Sequence, residues 1–309
     1  MQNMKKFTLG IFLIVAIMCT FTGCKNKTED TNKANKNTKA DSSANLIIVE
    51  SEEELNGPIV SDEKLNGLLN LVKYSEELSA TVNRSSTMVD GILTVSTNAQ
   101  IPPFAYEDVD GKLQGFDIAL MKAIGKKLGV EIEFKNVDFS SVIDSVANGA
   151  DIAICGITIT SERLDKVDFS DPYYQSIQYV IINSSAMIGG VEDLKNSAVG
   201  VKNGTIGEYI ADGLDIQNVT SYASFGEAVT SLKEKKIEAI IADKIYAILA
   251  ENNGSVKAIP GQQFGFYEEP YAIAIPKGDM EMYQALSGAL EELKAEGIYN
   301  QLLAIYVGE

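Results

Sequence analysis

The sequence contains no histidine and no tryptophan among its 309 residues, and it contains only three cysteines. Without histidine the chain cannot form a Ser-His-Asp triad, a histidine-paired thiol or an imidazole metal site. Cys19, Cys24 and Cys155 are too few and too far apart for a cysteine-rich zinc or iron–sulfur site. Several enzyme classes are therefore excluded, and we expect neither a bound metal nor another cofactor.

Positive charge is also scarce. The 26 Lys plus Arg residues are outnumbered by 43 Asp plus Glu, which gives a formal net charge of −17. Such a surface is unsuited to nucleic-acid backbones, so we expect no nucleic-acid partner. The hydrophobic content of 45% is typical of a globular protein, and the length is sufficient for two domains of ordinary size.

The first 23 residues have the pattern of an export signal. Lys5 and Lys6 supply the positive start, and residues 7–18 form an apolar stretch of about the usual length. A spanning helix needs about 20 apolar residues, so a short membrane anchor is the weaker interpretation. The segment ends in Phe21-Thr22-Gly23-Cys24, which resembles the lipobox of bacterial lipoproteins, although Phe21 replaces the usual leucine.

That resemblance implies cleavage before Cys24 and lipidation of its thiol, which would anchor an extracytoplasmic protein to the cell membrane. The alternative is an ordinary secretion signal with an incidental cysteine. Residues 24–45 contain no large apolar side chain and are predicted to be a disordered tether. After cleavage Cys155 is the only thiol besides Cys24, and its apolar neighbours predict a small buried side chain that is not a nucleophile.

Residues 46–90 form an extension before the main body. From Ser61 to about Ala80, Leu65, Leu69 and Leu78 fall near one helical face, together with other apolar residues. The spacing predicts one amphipathic helix, packed either on the body of the protein or on a partner. Its function is not indicated by the sequence.

The body of the chain alternates predicted strands and helices. A strand–helix–strand–helix–strand order over residues 92–155 is repeated over residues 198–251. An apolar strand at 271–275 and two helices at about 279–294 and 297–306 end the chain. This order favours an α/β fold with parallel-rich sheets flanked by helices. Two such units predict two lobes and a cleft between them, where small ligands usually bind.

Three stretches of the body resemble the extracellular solute-binding proteins that supply polar amino acids to ABC importers. They are Ser96–Tyr106 with Gly111–Asp117, Gly156–Arg163 with Val167–Tyr174, and Val199–Thr205 with Ala239–Asp243. The resemblance covers about 91–307 and implies the type II periplasmic-binding-protein fold, a two-lobed clamshell with two hinge crossovers. The crossovers are expected near 180–188 and 265–272, with 91–183 and 268–309 in lobe 1 and 184–267 in lobe 2.

The resemblance also implies a site for the two charges of a free amino acid. Arg163 is expected to pair with the carboxylate through its planar fork. The backbone N–H groups of Thr158, Thr205 and Ile206 would complete the anion site, the last two at a helix N-terminus. Without the motif, Arg163 between Glu162 and Asp165 would read as a solvated helix residue.

The ammonium is expected to bind Asp243, the carbonyl of Gly156 and the hydroxyl of Thr158. The competing interpretation of Asp243 is that it caps the helix that follows it. Phe104 and Phe139 correspond to aromatic walls beside the ligand side chain, although phenylalanine is commonly a core residue. Arg163 and Asp243 remain charged near neutral pH, so ligand binding is expected to be unchanged from about pH 6 to 8.

Asn98 and Lys202 are the candidates for side-chain specificity. Members of the family that bind cations often have an acid at the position of Asn98. Lys202 resembles the cleft lysine of glutamine-binding members and would repel a Lys or Arg ligand. These residues favour a neutral polar amino acid, with glutamine first and cystine next, unless Lys202 points to solvent.

Capture of the ligand by clamshell closure and delivery to an ABC importer permease is the favoured function, for a lipid-anchored monomer without catalysis. One alternative is a cyclohexadienyl-dehydratase-like enzyme on the same fold, which needs a proton donor such as Glu107 or Glu162. Another is a ligand-binding sensor module, which would require a signalling domain in the same chain.

Overall fold

The computed structural model describes residues 57–85, 91–251 and 255–309. The predicted signal segment, the lipidation site Cys24 and the tether lie outside the described residues. Within the described part of the chain, no helix has both the length and the apolar character that crossing a bilayer requires.

Short strands build two open sheets and one small sheet. In chain order the strands are β1 (Ile92–Thr97), β2 (Gln100–Ile101), β3 (Ala105–Glu107), β4 (Leu113–Gln114), β5 (Glu131–Asn136), β6 (Ile152–Ala153), β7 (Val167–Phe169), β8 (Tyr174–Asn183), β9 (Val199–Lys202), β10 (Val219–Tyr222), β11 (Ala239–Asp243), β12 (Val256–Pro260), β13 (Glu268–Tyr271) and β14 (Ala274–Pro276).

Helices connect the strands and cover the sheets. In chain order they are α1 (Asp62–Leu69), α2 (Glu76–Val82), α3 (Phe116–Leu128), α4 (Val142–Ala147), α5 (Ser161–Lys166), α6 (Val191–Lys195), α7 (Ile206–Gly213), α8 (Phe225–Lys233), α9 (Lys244–Glu251), α10 (Met280–Ala295) and α11 (Ile298–Tyr306). Two short 3-10 turns, Phe139–Ser141 and Gly261–Phe264, precede α4 and β13.

Each large sheet contains a parallel core, as the alternating sequence pattern predicts. The first sheet has the order β5-β1-β6-β14-β7, with β1 parallel to β5 and β6, and β14 antiparallel to its neighbours. The second has the order β10-β9-β11-β8-β12, with β9 parallel to β10 and β11. Parallel strands direct their carboxyl ends to one sheet edge, where ligand sites commonly form.

The chain passes between the sheets through two neighbouring segments. It leaves the first sheet after β7 and returns to it at β14. The first residues of β8, Tyr174–Ile177, pair antiparallel with β13, and the rest of β8 pairs with β11 and β12. We call Tyr174–Ile177 and β13 the hinge strands. The first lobe is the body before Tyr174 and after β13, and the second lobe is the second sheet with its helices.

This arrangement corrects the predicted lobe boundaries. The predicted boundary at 183/184 falls at the end of β8, most of which belongs to the second sheet. The crossover expected near 180–188 lies instead in the first hinge strand, Tyr174–Ile177. Strand β8 runs through the crossover without a turn, so no glycine or proline marks the change of lobe in the sequence.

The extension forms two helices instead of the single predicted one. Helix α1 ends at Asn70, and the backbone N–H of Ser75 then donates to the carbonyl of Lys127 at 2.9 Å. This bond to α3 redirects the chain, although the apolar spacing continues across the break. Helix α2 packs on α10 and α3 with Val82 fully buried, so the prediction that the extension packs on the body is confirmed.

A buried lysine joins α3 to α10 within the first lobe. The Lys127 side chain is 0% exposed, and its Nζ lies 2.7 Å from Glu296 Oε1 and 3.1 Å from Glu292 Oε2. A buried ammonium is costly unless it is paired, and two carboxylates meet that requirement here. The ion pairs hold the end of α10 against α3 in the lobe that carries the first half of the candidate site.

Candidate functional site

A cleft of about 500 Å³ lies between the two lobes, beside the hinge strands. It is lined by Ile101, Phe139, Gly156, Thr158, Arg163, Gln178, Lys202, Thr205, Ile206, Phe225, Ile241, Ala242, Asp243, Tyr246 and Tyr271.

Arg163 supplies a cation to the cleft from the first lobe. Its backbone N–H donates to Thr160 Oγ1 at 3.2 Å, which caps the start of α5. The guanidinium Nη1 donates to the carbonyl of Thr158 at 2.7 Å, and Nη2 donates across the cleft to the carbonyl of Gly204 at 3.1 Å. Among the described residues no carboxylate forms an ion pair with Arg163, so its charge is available to an anionic ligand group.

Lys202 supplies a second cation, from the end of β9 in the second lobe. It is 6% exposed, and its Nζ donates to Asn98 Oδ1 at 3.2 Å and lies 5.4 Å from the centre of the Phe139 ring. Burial lowers the pKa of Lys202. No carboxylate in the described ranges pairs with it. Lys202 therefore faces the cleft and not solvent.

Asn98 is placed behind Lys202 and not among the lining residues. Its side-chain Nδ2 donates to the carbonyl of Val137 at 2.9 Å, which turns Oδ1 toward Lys202. The amide thus fixes the position of the lysine without neutralising its charge.

Asp243 supplies the acid of the site at the end of β11. Its carboxylate accepts hydrogen bonds from Ser176 Oγ, the Tyr271 hydroxyl and Gln178 Nε2, the last at 3.1 Å. Burial raises the pKa of Asp243, whereas these donors and the backbone N–H of Ile245 act to lower it. Asp243 lies at the start of α9, as the capping interpretation predicts, and it also lines the cleft.

Gly156 brings the backbone of the first lobe to the cleft. Its φ of 61° and the 2.9 Å distance from a hypothetical Cβ to Ile101 Cδ1 leave no room for a side chain. Its N–H donates to Asp117 Oδ2 at 2.9 Å and to the Tyr173 hydroxyl at 3.1 Å. These bonds fix the turn that leads to Thr158, the next predicted site residue along the chain.

The two residues at the start of α7 have different roles. The N–H of Thr205 donates to the carbonyl of Lys202 at 3.3 Å, so it closes a turn instead of joining the anion site as predicted. Ile206 begins α7, where backbone N–H groups have no acceptor within the helix. Of the two predicted N–H donors, Thr205 and Ile206, only that of Ile206 stays a candidate for binding an anion at the helix N-terminus.

Phe104 does not form a wall of the cleft. It is 1% exposed and packs edge-on against Tyr271, with the ring centres 5.6 Å apart. The strands β2 and β3 turn between Ile101 and Ala105, so that Ile101 lines the cleft and Phe104 enters the core. Phe139 does line the cleft, as predicted.

The hinge strands contribute a group of polar residues that the sequence analysis missed. Gln178, which follows the first hinge strand in β8, and Tyr271 line the cleft, and Ser176 supports Asp243. Glu269 Oε2 accepts from Gln178 Nε2 at 3.3 Å and from Thr158 Oγ1 at 3.5 Å. The sequence offers one indication, the adjacent acids Glu268 and Glu269 before Pro270, but it does not show which of them faces the cleft.

Glu269 also changes the expectation for pH. Burial, and then the charge of Asp243, raise its pKa to about 7. The expectation of unchanged binding from about pH 6 to 8 assumed that no group of the site titrates in that range. A carboxyl group that titrates near pH 7 beside the site argues against unchanged binding, which stays a prediction.

Candidate groups for other chemistry are unfavourably placed. Glu107 and Glu162, the predicted proton donors of an enzyme, are exposed. Cys155 is a free, buried thiol whose pKa is raised to about 12, chiefly by burial, which confirms its prediction as a small buried side chain. In residues 57–85, 91–251 and 255–309, no cluster of three or more acidic or cysteine side chains is suited to a metal ion.

Comparison with known proteins identifies the family. The model of the bacterial extracellular solute-binding proteins, family 3, matches residues 93–309. A probable histidine-binding protein of Neisseria gonorrhoeae is 31% identical over 70% of this chain and 82% of its own length. An L-cystine-binding protein of Escherichia coli is 30% identical over 71% of this chain and 83% of its own length.

A solved structure has the same fold. An ancestral arginine-binding protein bound to glutamine is 38% identical, with a TM-score of 0.66 over 72% of this chain and all of its own. The predicted α/β clamshell of the type II periplasmic-binding-protein fold is confirmed. Together the cleft, the fold and the match over residues 93–309 show that the chain belongs to the bacterial extracellular solute-binding proteins, family 3.

Proposed function

We propose that the chain captures a free amino acid in the cleft between its lobes and delivers it to an ABC importer. The observation that carries this proposal is the distribution of charge, with Arg163 unpaired on one lobe and Asp243 on the other. A free amino acid carries a carboxylate that could pair with Arg163 and an ammonium that could pair with Asp243. Both relatives are named as binding proteins, and the activity here is likewise binding without catalysis.

Arg163 would bind the carboxylate, with Ile206 N–H and Thr158 N–H as further donors. Asp243 would bind the ammonium, with the carbonyl of Gly156 and the hydroxyl of Thr158. Each ligand charge needs a partner because an unpaired charge in a closed cleft carries a large desolvation cost.

Closure follows from the division of the site between lobes. Hydrogen bonds already cross the cleft from Arg163 to Gly204, from Lys202 to Asn98 and from Tyr246 to Gln100. A ligand that binds both lobes adds to these bonds in the closed form only, and so shifts the open–closed equilibrium by its differential affinity. The importer permease would recognise the closed form.

The ligand side chain is proposed to be neutral and polar. Lys202 is buried without a carboxylate partner in the described ranges, so a cationic side chain beside it would be repelled. An amide or carboxylate oxygen would instead accept a hydrogen bond from its Nζ. Glutamine is the first candidate and cystine the second, with Phe139 and Phe225 as the apolar walls.

The family is extracellular, and the chain acts outside the cytoplasm. We propose that it does so as a monomer tethered to the membrane by a lipid on Cys24. Mass spectrometry of the mature amino terminus tests the anchor, because an unmodified Cys24 or cleavage elsewhere would contradict it.

Calorimetry tests the binding function. The full chain, kept in detergent, is titrated with each of the twenty amino acids and with cystine. We expect one or a few tight ligands, with L-glutamine bound more tightly than L-arginine because of Lys202. Heat from none of them would contradict amino-acid binding, whereas a preference for L-arginine would contradict only the assignment of specificity.

A further inference from the structure

The ammonium side of the cleft contains two carboxylates joined by one amide. Gln178 Nε2 lies 3.1 Å from Asp243 Oδ2 and 3.3 Å from Glu269 Oε2, so the same NH₂ group donates to both acids. Thr158 Oγ1 lies 3.5 Å from Glu269 Oε2 on the other side. Glu269 is thus in contact with two lining residues although it is not itself a lining residue.

These contacts determine how the neutral groups are oriented. An ionised carboxylate only accepts hydrogen bonds, so the hydroxyl proton of Thr158 and the amide protons of Gln178 must point toward Glu269. The lone pairs of Thr158 Oγ1 and the carbonyl oxygen of Gln178 are then left for the cleft. A ligand ammonium has three donors and no acceptor, and it needs acceptors of this kind.

We propose that Glu269 is a positioning residue of the ammonium subsite, which holds Thr158 and Gln178 with their acceptor oxygens toward the ligand. This inference rests on the proposed function. Glu269, on the hinge strand β13, would then be a second acid beside Asp243 that favours a protonated amine over a neutral one.

Protonation of Glu269 would release the orientation of Thr158, whereas Gln178 would still donate to Asp243. A neutral carboxyl group carries its own proton and no longer requires both neighbours to donate. The charged groups that face it are Asp243 from β11, which raises its pKa, and Arg163 from α5, which lowers it. With a pKa of about 7 it is largely ionised at pH 8 and largely protonated at pH 5.5, so affinity should fall as the pH falls.

The test compares Glu269→Gln with Glu268→Gln in the full chain. Glu268 is the exposed neighbour on the same strand and provides a matched loss of charge. The probes are L-glutamine, L-cystine, L-arginine and L-histidine, titrated by calorimetry at pH 5.5 and pH 8. For the wild type and Glu268→Gln we expect Kd to be about tenfold higher at pH 5.5 than at pH 8.

Glu269→Gln should bind at pH 8 about as weakly as the wild type binds at pH 5.5, and its Kd should change less than about twofold with pH. Unchanged affinity at pH 8 would overturn the inference. So would a weakened variant that keeps the full pH dependence, because that result would indicate general damage to the fold.

A second measurement uses the wild type alone and does not depend on the variant folding. Calorimetry at pH 7 in buffers of different ionisation enthalpy should show release of about 0.4 proton per ligand bound, since the ligand is expected to favour the ionised form about tenfold. No proton release would overturn the inference. Failure of the wild type to bind any probe or other amino acid would instead overturn the proposed function.

Discussion

Arg163 differs from the surface cations of the protein in having carbonyl partners and no carboxylate partner among the described residues. Lys166, one turn further along the same helix, forms an exposed ion pair with Asp144 at 2.8 Å. The contrast supports the proposal that Arg163 binds the ligand carboxylate. Surface pairs such as that of Lys166 contribute little to stability and nothing to the cleft.

Arg163→Ala should weaken ligand binding by about 100-fold or more, because the ligand carboxylate would lose its charged partner in the closed cleft. Calorimetry with the tightest ligand of the amino-acid panel measures the loss. Lys166→Ala is the matched control and should change Kd less than about twofold. Equal effects of the two substitutions would show that Arg163 does not bind the carboxylate.

Much of the site could be predicted residue by residue from its motifs. Arg163, Lys202 and Asp243 all reach the cleft, because each lies at an end of a strand or helix that the sequence indicates clearly. Phe104 could not be distinguished from Ile101, since both flank the same turn and only the fold decides which is buried. Glu269 was missed because its two partners, Thr158 and Gln178, come from other stretches of the chain.

At the scale of elements, the extension behaves as part of the first lobe. Helix α2 lies against α10 and α3, and its Val82 is fully buried. The preceding segment carries Leu71, which is 59% exposed. Apolar periodicity alone therefore does not show which residues of the extension stabilise the fold; their burial against the body does.

Val82→Ala should lower the free energy of unfolding by about 2 kcal/mol, because it removes buried methyl groups and leaves a cavity. Urea unfolding followed by circular dichroism measures the change. Leu71→Ala should lie within about 0.5 kcal/mol of the wild type, as expected for an exposed side chain. If Val82→Ala were as mild as its control, the extension would not be packed on the body in solution.

Most elements of the body were predictable because helices such as α3 have both apolar periodicity and a terminating glycine, Gly129 at φ 68°. The lobe boundary was not predictable in the same way. Strand β8 is continuous, but its first residues pair with β13 in the hinge and the rest pair with β11 in the second sheet. The boundary between the two parts is set by these long-range pairings. The break between α1 and α2 likewise depends on a bond from Ser75 to another helix.

At the scale of the whole molecule, the proposed closure would depend on contacts between the lobes as well as on the ligand. Tyr246 of the second lobe donates from its hydroxyl to the carbonyl of Gln100 in the first lobe at 2.6 Å. Its ring stacks on Phe225 with the centres 4.4 Å apart. The hydroxyl thus stabilises the closed form, and the ring belongs to the second lobe alone.

Tyr246→Phe should keep the stacking and lose the bond between lobes, so it should raise Kd about fivefold without changing the stability of the ligand-free protein. Calorimetry and urea unfolding measure the two quantities. Tyr209→Phe, at a tyrosine that is 57% exposed, is the control and should change neither. An unchanged Kd for Tyr246→Phe would mean that this contact does not contribute to closure.

The hinge strands have one more consequence, which is mechanical. Asp243 is held by Ser176 and Tyr271, both on the hinge strands, so in the proposed binding mode the ammonium would lie close to the axis of closure. In a rotation, displacement grows in proportion to distance from the axis. A small adjustment of these side chains around a ligand is therefore a large movement at the outer rims of the lobes. If the importer contacts the rims, as the proposed function would allow, it would detect closure where the displacement is largest.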